Sequence, residues 1–240
     1  MTTIGIQRGG LQPTTRPARQ TTVRRETLLV CGIVAALLYV VMNVVVALRW
    51  PGYSPMSQTV SELSAIGAPT RSLWVLLAIP YTLLAVAFGS GVLQAAGDSR
   101  ALRTTGTLLL LYGLFGVVWP FAPMHLRATL AAGGGTTSDV MHIVLGCVTV
   151  ALMLLAIGFG ATALGPRFRR YSIATLVVVF VFGLLTAMDA PAVGANLPTP
   201  WLGLWERVNI AAFLAWTVVL ALVLIARSPA TASRRTVSNP

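Results

Sequence analysis

The 240 residues are 56% hydrophobic and only 10% charged, with a mean hydropathy of +0.80. A soluble domain carries about 25% charged residues, so this composition excludes a soluble globule and places the chain among integral membrane proteins. The net charge of +11 comes from seventeen arginines and no lysine. They sit in short stretches between apolar runs, so they read as topology signals and no nucleic-acid partner is expected.

In chain order, residues 1–26 are polar, rich in Thr, Arg and Pro, and without apolar periodicity, which predicts a disordered basic tail. Six apolar segments follow, near 27–48, 72–96, 104–120, 139–164, 171–189 and 204–227, and a short polar tail occupies 228–240. Each segment has about 17 to 26 residues, enough to cross a hydrocarbon core of roughly 30 Å. None has an acidic or basic side chain near its middle, where each would cost about 2.5–3.5 kcal/mol. The predicted fold is an all-α six-helix membrane bundle spanning 27–227. VRRETLL and LLVC near the first segment resemble a twin-arginine signal and a lipobox. The apolar run there is about 22 residues, too long for a signal-peptide core of about 7–15, so a retained transmembrane helix is expected.

Counting arginines sets the orientation. With the N-terminus inside, the inner segments hold thirteen, and the outer connections hold only Arg49, Arg71, Arg127 and Arg207. This bias predicts cytoplasmic N- and C-termini in a bacterial plasma membrane. The connections near 97–103 and 165–170 are short. Those at 49–71, 121–138 and 190–203 are longer, rich in Pro, Gly, Ser and Thr, and flanked by five of the six tryptophans. Function is therefore expected at the outer face. Cys31 and Cys147 lie in apolar runs at different depths and read as small buried hydrophobes without a disulfide.

The first outer connection holds SPMSQTVSELSAIGAP, residues 54–69. Ser54-Pro55 reads as a helix start and Gly67-Ala68-Pro69 as a stop. Met56, Thr59, Val60, Leu63 and Ile66 share one side of a helical wheel, and Ser57, Ser61 and Ser64 the other, with Glu62 beside them. This predicts an amphipathic interfacial helix of about three turns between the first two spans. It is expected to offer Ser61 and Glu62 to the outer helix ends, close to His142 or Arg207.

Four of the six acids (Glu62, Asp139, Asp189, Glu206) and both histidines (His125, His142) map to the outer side. Asp139 opens the fourth segment as a helix cap complementing the dipole. His142 follows at i+3 on the same face, where the acid can orient its imidazole. His125 lies in a loop beside Arg127 and reads as solvated. Glu206 and Arg207 point about 100° apart and do not pair by adjacency, and Asn209 extends the Glu206 face inward. Asp189 ends the fifth helix before Pro191 and needs water or a partner such as Arg71 or Arg207. Ser61, Glu62, Asp139, His142, Glu206 and Arg207 are the candidate ligand-binding set. No metal or cofactor is expected.

YSPMSQTVSELSAIGAPT after the first helix, WPFAP closing the third, a lone histidine early in the fourth and GLWERVNIAAFLAW opening the sixth together resemble the domain-of-unknown-function 998 family. The resemblance covers about residues 27–227 and implies a multi-pass membrane architecture with no established activity. An acid often follows the proline of the third-helix motif in that family, whereas here Met124 and His125 follow Pro123. Three functions stay open on the sequence. The first is binding of a lipid headgroup or small polar ligand in an outer pocket. The second is a membrane-embedded hydrolase or transferase using histidine and carboxylates, although HExxH, GxSxG and CxxC strings are missing. The third is a structural or assembly role in which the polar cluster only locks the helix ends.

Overall fold

The computed structural model describes residues 16–228. Six helices are long and apolar enough to cross a membrane: α1 (Arg16–Ala47), α2 (Arg71–Ala95), α3 (Arg100–Phe115, with its apolar stretch continuing through Phe121), α5 (Thr137–Ala161), α6 (Pro166–Gly194) and α7 (Leu202–Ala226). A five-residue α4 (Arg127–Ala131) lies in the connection before α5. Each span packs on the next in sequence, and α7 returns to α1, which closes a ring. Leu37, Leu76 and Leu83 are each more than three-fifths exposed. That exposure makes sense only if hydrocarbon covers the ring from outside.

Every backbone polar group in a span must be satisfied within the protein. Helix formation accomplishes this locally, so association depends on close packing. Gly89 and Gly113 face each other's helices: a Cβ on Gly89 would come within 2.5 Å of Leu110 backbone, and one on Gly113 within 2.7 Å of Val86 backbone. Gly91 meets Leu28 and Leu29 on α1, and Gly116 meets Thr82. The small residues marked in the sequence therefore bring α1, α2 and α3 together. Across the ring, Gly160 of α5 makes room for the fully buried Trp216, whose indole donates to Ser172 Oγ of α6 at 2.9 Å. Asn209 is also structural, donating to Val179 O on α6 at 2.6 Å.

Three expectations need correction. α1 begins at Arg16, so residues 16–26 of the expected tail are helical, continuing the span by i→i−4 bonding; residues 1–15 and 229–240 lie outside the described residues. α6 does not stop before Pro191 but runs on to Gly194. A proline in the last turn forfeits a single backbone bond, and Ala195 N–H and Leu197 N–H close the end on Pro191 O and Ala192 O. In place of a three-turn helix over 54–66, only a 3-10 turn at Val60–Ser64 forms. Its N-cap is Thr59, not Ser54: Thr59 Oγ1 accepts from Glu62 N–H while the Glu62 carboxylate accepts from Thr59 N–H, a reciprocal capping box. The box starts the turn five residues later than Ser54-Pro55 would.

Gly113 and Gly146 provide a matched test of the packing. Gly146 has open space where a Cβ would stand. Gly113→Val is expected to destabilise by about 1–3 kcal/mol through overpacking, read as a lowered thermal midpoint in detergent. Gly146→Val is expected to leave the midpoint unchanged.

Candidate functional site at the long-loop end

The connections 48–70, 116–136 and 195–201 meet at one end of the bundle. Their centre is Glu62, 1% exposed, held bidentately by Arg127: Arg127 Nε donates to Oε1 at 2.6 Å and Nη2 to Oε2 at 2.9 Å. The same carboxylate accepts from Thr59 N–H at 2.7 Å and the Gln58 amide at 3.3 Å. Arg127 also donates to Thr199 Oγ1 at 2.7 Å and Ser57 O at 3.0 Å, and Thr199 donates to Ser57 O at 2.8 Å. One ion pair thus ties the first, second and third long connections into a single body.

Arg207 organises the neighbouring stretch differently. Its Nη1 donates to Pro55 O (2.8 Å), Gln58 O (3.0 Å) and Gly203 O (3.0 Å), and its Nη2 to the Tyr53 hydroxyl (2.6 Å). Burial pushes the Tyr53 hydroxyl up to about 12, so it stays protonated and donates to Thr59 O at 2.7 Å. Among the described residues no carboxylate lies within ion-pair distance of Arg207. Adjacent Glu206 turns away, as its helical spacing predicts, and accepts from Val60 N–H. Gly203 is required here: a Cβ would stand 2.3 Å from Gln58 O and 2.4 Å from Pro55 O.

A third group involves the start of α5. Asp139 caps the helix through Thr136 N–H (2.8 Å), as expected. Its remaining bonds go to His125, accepting from the backbone N–H at 2.7 Å and from Nδ1 at 2.8 Å. So His125 is paired, not merely solvated, and Asp139 does not orient His142. The His142 ring instead bonds Ala122 O through Nδ1 at 2.9 Å and meets Trp119 edge-on. Because a carbonyl only accepts, Nδ1 carries the proton and Nε2 the lone pair. Ile66 N–H donates to Met124 O at 2.7 Å, joining the first connection to the second. Arg71 spans the same seam, bonding Ser64 O (2.7 Å) and Pro120 O (3.3 Å).

The six candidate residues therefore divide among three bonded groups. Glu62 touches neither His142 nor Arg207; its link to Arg207 runs through Gln58, whose side chain bonds Glu62 and whose carbonyl accepts from Arg207. Ser61 contributes its carbonyl to the Ser64 hydroxyl. Asp189 pairs with neither Arg71 nor Arg207, both of which bond neutral oxygens. Arg127, Tyr53 and Thr199 were not singled out from sequence. Thr59-x-x-Glu62 was a readable capping signal, and Arg127 was legible as an arginine retained on the side that the charge bias depletes. Among the described residues no three His, Cys, Asp or Glu side chains gather into a metal-binding group.

Beside this network, an open groove of about 460 Å³ runs between α1 and α7, walled by Val40 and Val44 on one side and Ile210 and Ala211 on the other. Val40 and Val44 are themselves more than half exposed, so the groove opens toward the hydrocarbon side. Tyr53, Pro55 and Arg207 close its loop end.

Breaking a buried pair strands a charge and costs about 3–5 kcal/mol, whereas replacing both partners with apolar groups costs far less. Arg127→Met is thus expected to lower the thermal midpoint sharply. The double variant Arg127→Met with Glu62→Leu should recover much of that loss, a coupling measured by a double-mutant cycle.

No curated protein and no solved structure matches the chain. A family model described as Protein of unknown function (DUF998) matches residues 33–223, from the middle of α1 to the last turn of α7. With most of the chain covered, including every long connection bonded into the network, this polytopic membrane protein belongs to the DUF998 family.

Proposed function

We propose that the protein binds an anionic amphiphile from the outer leaflet, with its acyl chain in the α1–α7 groove and its charged group at Arg207. On this reading the long-loop end faces outward, as the thirteen-to-four arginine bias favours, and the 53–66 stretch lies at the membrane interface. The observation that carries the proposal is the groove itself: apolar walls open to lipid, and a guanidinium at the closed end with no carboxylate partner. Its volume of about 460 Å³ lies within the roughly 300–1,000 Å³ range of small-molecule sites. Carbonyl and phenol oxygens satisfy Arg207 donors but leave its charge uncompensated, and a phosphate or carboxylate would complete it.

Of the candidate set, Arg207 then contacts ligand, and Ser61, Glu62, Asp139, His142 and Glu206 form the frame that holds the loop end in place. A purely structural role is the second reading, favoured by how fully the Glu62–Arg127 pair is bonded within the protein.

Ala211 stands exposed on the groove wall, so Ala211→Trp fills the space without entering the core. Native mass spectrometry of the purified protein with tetradecanoate and with phosphatidylglycerol is expected to show bound amphiphile. Ala211→Trp should lower that binding about tenfold or more at an unchanged thermal midpoint, since a displaced chain loses several buried methylenes. Equal binding by the two proteins, or none by either, removes the groove as a site and leaves the structural role.

A further inference from the structure

Asn43 lies in the same groove, on α1. Its amide Nδ2 donates to Tyr39 O one turn back, at 3.3 Å. Its carbonyl oxygen Oδ1 is buried and has no hydrogen-bond partner. The surrounding lining is mostly apolar, formed by Val40, Val44, Ala211 and Leu214. A buried acceptor without a donor costs free energy, and over nine-tenths of buried polar groups avoid that state. Other mid-helix polar side chains of the bundle follow the usual pattern: Thr105, Thr175 and Thr186 each donate to a carbonyl of the preceding turn. The oxygen of Asn43 departs from it at the wall of a cavity.

We infer that Asn43 is a specificity-determining residue of the α1–α7 groove, whose unmet acceptor selects amphiphiles carrying a hydrogen-bond donor close to their anionic group. The inference rests on the amphiphile-binding reading and sharpens its ligand class. Arg207 donates only, so it reads the negative charge; Asn43 Oδ1 accepts only, so it reads a hydroxyl, amide N–H or ammonium. A plain fatty acid satisfies the first and leaves the second unmet. A 3-hydroxy acid, or a phospholipid whose headgroup bears hydroxyls, satisfies both. The selection follows from the asymmetry of buried hydrogen bonds: a ligand lacking the donor leaves the acceptor stranded in apolar surroundings.

Two matched probe pairs test this while separating carboxylate from phosphate ligands: 3-hydroxytetradecanoate against tetradecanoate, and phosphatidylglycerol against phosphatidylmethanol, which lacks the glycerol hydroxyls. Binding is measured by native mass spectrometry on the full-length protein. The wild type is expected to prefer the hydroxylated member of at least one pair by about three- to tenfold. Asn43→Leu should abolish that preference while still binding the plain member, which also reports an intact groove. Asn43→Ala gives the same readout if leucine crowds the wall. Equal binding of both members by the wild type overturns the inference but leaves amphiphile binding standing, as does a preference that survives in both Asn43 variants. Binding of no probe by the wild type overturns both.

Discussion

The long-loop end depends on one buried ion pair. Glu62 is almost wholly removed from solvent, and a carboxylate there is tolerable only because Arg127 meets both its oxygens. The two residues are 65 positions apart and belong to different connections. Their pairing therefore selects one arrangement of chain segments that hydrophobic burial alone would leave loosely specified. Its remaining bonds carry the constraint outward: Thr59 starts the only helical turn of the first connection, and Thr199 and Ser57 fix the approach to α7. Nondirectional burial of Ala65, Ala68, Met124 and Leu202 then fills the space beneath these contacts.

Once that pair is in place, the second arginine acquires a different character. Arg207 sits one helix away with every resolved bond going to a neutral oxygen. Glu206, which could have neutralised it, is committed to Val60 N–H by the 100° or so between successive helical positions. The capped turn at Val60–Ser64 and the charge left on Arg207 are thus two consequences of one geometry. The loop is built from carboxylates that face inward, and the guanidinium is left at the mouth of an apolar groove.

What was legible in the sequence follows the range of the forces involved. The spans depend on runs of apolar side chains, so their number and extents could be read directly, and Gly89, Gly91, Gly113 and Gly116 marked the close approaches. The cap at Asp139 was local and equally readable. The 54–66 helix failed because its wheel pattern is also satisfied by a folded loop: Val60 and Leu63 are buried either way, while the Thr59–Glu62 box moves the helix start past Ser54. The partners of Glu62, His125 and His142 were not readable, since each is a long-range contact whose energy depends on burial that only the assembled fold creates. A clue did exist in the arginines that defy the charge bias. Of the four, Arg71, Arg127 and Arg207 are each bonded into the loop network.

The interior of the ring explains why a lateral groove is a better place for a ligand than the bundle axis. Polar groups at mid-depth are neutral and already occupied: Tyr81 and Tyr112 share a hydrogen bond at 2.8 Å, Trp216 bonds Ser172, and Thr105, Thr175 and Thr217 bond their own backbones. The cavity beside Tyr81, Tyr112 and Phe213 has a volume of about 20 Å³, room for a single water. Transporters place coupling carboxylates and broken helices near the midplane, and here the described spans keep their carboxylates at their ends. A solute crossing along the axis would have to separate α2 from α3, where glycines hold the two backbones in contact. An amphiphile entering sideways between α1 and α7 meets no such barrier, because that seam is already open to lipid.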